Sequence, residues 1–202
     1  MGLLSKEYGT LGDERLMELV VRGDERAFGA IYDRYHRRLL NYFHRMLWHD
    51  REKAQDFLQD LFTKIAQRPA SYDASRPFQT WIFSVANNMC KNAYRHEEVV
   101  KAAAVYMKNG TDREEAKEGI GVDHENFRDR LDDELSRLDP DHKATFVMRY
   151  HEDMAIKEIA AAFGCSEGTV KSRLFYTLKK LAERLKEFDP NALSPHGKAR
   201  TI

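Results

Sequence analysis

Residues Asp153–Leu185 read DMAIKEIAAAFGCSEGTVKSRLFYTLKKLAERL, and their spacing carries the sharpest structural signal in the chain. Ile156, Ile159, Ala160 and Phe163 recur at helical spacing and line one face of a short helix. Gly164 enters the left-handed backbone region without steric cost and so ends that helix, while the Ser166 hydroxyl is placed to cap the next one. At 100° per residue, Val170, Leu174, Leu178, Leu181 and Leu185 project within a sector of about 80° on the second helix. Two helices joined by so short a turn have the form of a helix-turn-helix. Roughly opposite the apolar sector lie Thr169, Ser172, Tyr176 and Lys179, with Arg173 and Lys180 to one side and Lys171 to the other. Such a surface suits a helix entering the major groove, because Arg and Lys read guanine or hold phosphates and Ser and Thr fit either role. Residues 165–186 carry six basic side chains against two acidic ones, which has the sign that DNA requires. A plain helical hairpin would share much of this pattern.

The rest of the chain agrees with a helical reading. Its 202 residues are enough for one domain or two small ones, and 42% apolar residues against 33% charged is a globular balance. With 11 Gly and 5 Pro, the turn punctuation of an all-β protein is missing, so the expected class is all-α. The net charge is zero, yet the cancellation is between segments. Residues 1–96 hold 15 basic and 12 acidic side chains, residues 97–134 hold 6 and 12, and residues 135–202 hold 12 and 9. The acidic middle contains KNGTDREEAKEGIGVDHE, which has too few large apolar residues to offset the ordering of its backbone. The expected organisation is therefore a helical domain over 12–96, a flexible acidic linker over 97–130, a second small helical domain over 131–188 and a disordered tail over 189–202.

Within the first domain, Asp24 is placed to cap a helix carrying Phe28, Ile31, Tyr35, Leu39 and Tyr42. The next helix begins near Asp50, with Ala54, Phe57, Leu58, Leu61, Phe62 and Ile65 in one apolar stripe and Gln55, Asp56, Gln59 and Asp60 outside it. Pro77 suits the first turn of a third helix. There Phe78, Ile82, Val85 and Met89 share a sector, Ser84, Asn87, Lys91, Tyr94 and Arg95 point the other way, and Trp81 and Asn88 flank them. That outer stripe offers rings for stacking, amides for base edges and cations for phosphates, a chemistry suited to unpaired bases and equally compatible with an ordinary solvated face.

Taken together, these segments resemble the sigma-70 family of bacterial RNA polymerase sigma factors, in its small extracytoplasmic-function (ECF) form. AFGAIYDRYHRRLLNYFHRML, KAQDFLQDLFTKIAQ and FQTWIFSVANNMCKNAYRH look like successive parts of region 2; the stretch from Leu138 to Leu181 looks like region 4, with SEGTVKSRLF especially typical. The resemblance implies that Asp56, Gln59, Asp60 and Phe62 dock on the clamp of the largest subunit of core RNA polymerase. It implies that Trp81, Asn87, Asn88, Lys91, Tyr94 and Arg95 melt and capture the -10 element of promoter DNA. It also implies that Thr169, Lys171, Ser172, Arg173, Phe175, Tyr176 and Lys179 bind the -35 element as duplex. Members of this group are often held inactive by an anti-sigma factor, a possible further partner.

The principal competing function is a conventional helix-turn-helix regulator whose N-terminal domain dimerises or binds a ligand, and core-polymerase binding separates the two. An enzyme is not expected. The chain shows no phosphate-binding glycine loop, and His36, His44 and His49 lack the i, i+4 spacing of a helical metal site. No metal, cofactor or small-molecule substrate is expected. Cys90 and Cys165 are far apart without metal-ligand spacing, and no stretch approaches a membrane span or a signal peptide, so a cytoplasmic protein is expected.

Overall fold

The computed structural model describes residues 8–107 and 127–188, and among these every regular element is helical. In chain order they are α1 (Asp13–Val21), α2 (Glu25–Met46), α3 (Arg51–Gln67), α4 (Phe78–Met107), α5 (Phe127–Ser136), α6 (Pro140–Tyr150), α7 (Ile156–Phe163) and α8 (Glu167–Arg184). Short 3-10 turns at Pro69–Ser71 and Lys186–Phe188 complete the set.

Local chemistry sets the helix boundaries. Asp24 accepts from the Arg26 and Ala27 amides at 3.0 and 3.1 Å, Asp50 from the Lys53 amide at 3.0 Å, and Asp139 from the Asp141 amide at 2.9 Å. Each satisfies donors that a helix start leaves without a backbone partner. The start of α4 is capped from a distance, since the Phe78 amide donates to Glu14 of α1 at 3.1 Å. Gly164 adopts φ +63° at the end of α7, and Ser166 accepts from the Thr169 amide at 3.1 Å at the start of α8. The turn of the helix-turn-helix thus has the two devices expected of it. Gly164→Ala places a Cβ in the left-handed region and is expected to lower stability by about 1–2 kcal/mol. Ser166→Ala is expected to lower it by about 1 kcal/mol. Thermal unfolding checks both, and an unchanged midpoint for Gly164→Ala means that the turn relaxes to another conformation.

The first four helices form a bundle in which α2 packs against α1, α3 and α4. Its centre holds Leu16, Ile31, Tyr35, Leu39, Tyr42, Phe43, Leu61, Phe78 and Phe83, all buried. Asp13 fixes α1 to α2 by accepting from both Arg34 and Tyr35. The C-terminal half packs α6, α7 and α8 around Val147, Ile159, Val170 and Leu174, with a smaller cluster of Leu135, Leu138, Phe146, Leu181 and Leu185 where α5 meets α8.

Three expectations need correction or limits. Leu178 is exposed, and Thr177 is buried in its place. By helical arithmetic Thr177 sits about 20° from Val170 on the seam, whereas Leu178 lies about 80° away at its edge. Helix α4 continues to Met107, past the expected domain end at 96, and α5 begins at Phe127, inside the expected linker. The rest of that linker, 108–126, and the tail, 189–202, lie outside the described residues. The two halves are also in contact: α4 packs on α7, α2 packs on α6, and one buried core runs through both.

Candidate nucleic-acid and polymerase interfaces

On α8, Thr169, Lys171, Ser172, Phe175, Tyr176 and Lys179 are exposed on the side away from Val170, Leu174 and Leu181. The Phe175 and Tyr176 rings meet edge to face at 5.4 Å, a sizeable aromatic surface for a solvated helix. Arg173 alone among the expected -35 residues is turned inward. Its Nη2 lies 2.6 Å from Asp141 Oδ2, and its guanidinium sits 5.7 Å from the centroid of Phe163.

Helix α4 departs more from expectation. The buried arc runs from Phe78 through Ile82, Ala86 and Cys90 to Phe83 and Asn87, turned by roughly 80° from the sector centred on Phe78, Ile82, Val85 and Met89. Ala86 and Cys90 are small, so neighbouring helices approach closely there, while Val85 and Met89 are only half-buried. Asn87, expected on the outer stripe, is in the core and accepts from the Tyr42 hydroxyl at 3.3 Å. Tyr94 donates its hydroxyl to the Met46 carbonyl and sets its ring edge-on to Trp48 at 4.7 Å. Burial pushes the Tyr94 hydroxyl well above its ordinary pKa, which keeps it a donor. Asn88 and Arg95 are exposed, and Lys91 is half-buried with Nζ 2.8 Å from Asp141 Oδ1.

Trp81 is nearly buried against Tyr72 and Phe78, at 5.3 and 5.6 Å between ring centroids. Together with Val85 it lines an open cavity of about 440 Å³ whose other walls include Lys64, Gln67, Arg68 and Ser71. None of these last four residues was singled out from the sequence. Their signal was weak: Lys64 and Arg68 stand four apart at the end of α3, just before a loop, and only the fold brings that loop to Trp81.

On α3, Asp56, Gln59 and Asp60 are exposed side by side. Phe62 is buried, its ring 6.1 Å from Phe28 and 4.8 Å from Tyr32. It forms part of an apolar groove of about 570 Å³ between α2 and α3, lined also by Tyr32, His36, Leu40, Leu58 and Gln59. The four residues expected to dock on polymerase therefore divide into three that present polar groups and one that helps shape the groove beside them. Among the described residues no group of three or more His, Cys, Asp or Glu side chains could hold a metal ion, and no helix is long and apolar enough to cross a membrane.

Comparison with known proteins matches this arrangement. Residues 31–115 match the family description "Sigma-70 region 2", and residues 128–181 match "Sigma-70, region 4". The ECF RNA polymerase sigma factor SigL of Mycobacterium tuberculosis is 30% identical over 161 residues, covering 78% of this chain and 88% of that protein. The RNA polymerase sigma factor CarQ of Myxococcus xanthus is 28% identical over 173 residues, covering 86% and 97%. Among solved structures, CnrH in complex with the cytosolic domain of CnrY aligns with a TM-score of 0.63 at 22% identity, over 87% of this chain and 97% of that one. The sigma factor RpoE in complex with the anti-sigma factor NepR, from Bartonella quintana, aligns at 0.59 with 19% identity, over 79% and 96%. A helix-turn-helix with a capped recognition helix, a helical bundle ahead of it and matches to both regions lead to one assignment: the chain belongs to the sigma-70 family of RNA polymerase sigma factors, in its ECF group.

Proposed function

We propose that this sigma factor reads the -35 element with the exposed face of α8 and the opened -10 element with the surface that joins α4 to the end of α3, while the exposed face of α3 and its groove hold core RNA polymerase. The observation that carries the reading is the uncovered face of α8, where Thr169, Lys171, Ser172, Tyr176 and Lys179 stand together behind a capped turn. On α4 and α3 the contacts fall to Asn88, Arg95, Lys64, Arg68 and the edge of Trp81, with Asn87 and Tyr94 supporting the helix from beneath. Trp81 and its cavity suit a base turned out of the stack, with the nearby cations holding its phosphates. Phosphodiester chemistry belongs to the polymerase, and the chain contributes promoter choice and strand capture in the cytoplasm. The neighbouring structure of RpoE holds the anti-sigma factor NepR, and a partner of that kind seated over the α2–α3 groove would block polymerase docking here.

Neutral net charge and two small DNA-contacting surfaces imply modest counterion release, so the free chain binds promoter DNA weakly. Core polymerase raises the effective concentration of each surface on one promoter. In vitro transcription with core enzyme and a promoter library tests the proposal, since initiation should concentrate on templates sharing two elements at fixed spacing. The free chain should retard the same templates poorly. Specific, tight retardation without core, or transcription no different from core alone, contradicts the reading.

A further inference from the structure

Outside the exposed face of α8, most cations of the C-terminal half are engaged. Arg130 and Arg137 lie against Asp133, Arg184 meets Glu134, Arg173 meets Asp141, and Lys143 is buried. Lys157, in the first turn of α7, is different: it is exposed and makes no salt bridge among the described residues. The loop before α7 fixes its place. The Met154 amide donates to the Met148 carbonyl at 3.1 Å, Arg149 Nη1 donates to the Met154 carbonyl at 3.1 Å, and Asp153 takes φ +51° between them. Glu158, the acid next to Lys157 in α7, turns its carboxylate back to accept from the Ala155 amide at 2.7 Å, so it is occupied at the helix start. The buried residues Ile159, Ala160 and Ala162 centre about 155° around the helix from Lys157, which therefore points away from the core. Ala161, one turn on and also exposed, is too small to keep another molecule away from that face.

A helix-turn-helix sets its second helix in the major groove while its first helix crosses the backbone. At 1.5 Å per residue, Lys157 stands about 9 Å before the end of α7 and Lys171 about 6 Å into α8. With the two helices at roughly 90–120°, their backbones at these positions lie about 11–15 Å apart. The major groove is about 12 Å wide. When Lys171 sits in or over the groove, Lys157 thus stands at its rim, where the phosphates are. We propose that Lys157 is a further phosphate contact to the -35 duplex, gripping the backbone beside the groove that α8 enters and so fixing the register of α8 on the bases. The inference rests on the -35 role of α8 given above. A phosphate contact of this kind positions the reading helix without carrying sequence information itself.

The test uses the full chain on core RNA polymerase and a labelled promoter duplex, titrated at several salt concentrations. Lys157→Ala is expected to weaken binding by about threefold to fivefold near physiological salt and to reduce the dependence of log affinity on log salt by about 1. Lys157→Glu sets a carboxylate against the phosphate and should weaken binding by about tenfold or more. Lys157→Arg keeps the charge and should restore both affinity and slope to near wild type. Preferences across a library of -35 sequences should be the same in all three variants, because the contact reads no base. Lys157 is exposed and unpaired among the described residues, so unfolding temperature and affinity for core should also stay at the wild-type values. A wild-type salt slope in both Lys157→Ala and Lys157→Glu overturns the proposal. So does a changed preference at one base position, or a loss that merely follows weaker binding to core. Lys171→Ala on the same duplex is the reference. If it lowers affinity and slope while Lys157→Glu leaves both unchanged, the Lys157 contact alone fails; if neither variant alters binding, the -35 role of α8 fails with it.

Discussion

Replacing Asp56 and Asp60 together by arginine is expected to lower the affinity of the chain for core RNA polymerase by about a hundredfold or more, with helicity and unfolding temperature close to wild type. Both side chains are exposed on α3, and neither makes a salt bridge among the described residues, so the fold loses nothing when they change. On the docking role proposed above, their value lies in what they meet. An acidic pair one helical turn apart complements a basic docking surface, and reversing it sets like charges face to face, which costs several kcal/mol. At about 1.4 kcal/mol per factor of ten, even a partial effect reaches the expected size. Fluorescence-detected binding to core measures it, and promoter-specific transcription should fall in step. Retained affinity would remove this face of α3 from the docking surface. Phe62→Ala is a poor substitute, because the ring is buried against Phe28 and Tyr32 and its loss costs about 3–5 kcal/mol of folding stability.

The contrast between Asp56 and Phe62 shows what a linear reading could supply. Helices, caps and the helix-turn-helix were legible because each follows from neighbouring residues: Asp24, Asp50, Ser166 and Gly164 act within a few positions of themselves. The all-α class and the apolar stripe of α3 follow from composition and period in the same way. What failed was the orientation of a long helix with more than one neighbour. An apolar sector marks the buried side only when one partner covers the helix, but α4 meets α2 and also α7. Asn87 and Tyr94 therefore sit against Tyr42 and Met46, although their helical angle, opposite the apolar sector, pointed them outward. The same reason hid the cavity beside Trp81, which joins residues of α3 and α4 with the loop between them. It also hid Asp141 as a partner of Lys91 and Arg173, at sequence separations no periodicity reaches.

Replacing Lys171 and Lys179 by alanine is expected to weaken binding of the core-bound protein to promoters by about tenfold to thirtyfold at physiological salt, and to reduce the dependence of log affinity on log salt by about 2. Both side chains are exposed, and the contact of Lys171 with Glu167, at 3.9 Å on the surface, contributes little to stability. The loss should be nearly uniform over promoter sequences, because a lysine that holds phosphate positions the helix without reading bases. Ser172→Ala, by contrast, should alter preference at one position of the -35 element with little change in the salt slope. A double lysine variant that loses affinity while keeping the wild-type salt slope would take these residues off the phosphates. The comparison with free protein adds a second discrimination. With Arg173 held by Asp141, α8 of the free chain lacks one of its cations, so removing Lys171 and Lys179 acts on binding that is already weak and the relative loss should be smaller than on core. If the loss were equal in both settings, α8 would meet DNA in the same way with and without polymerase, and the gain conferred by core would have to come from the N-terminal bundle alone.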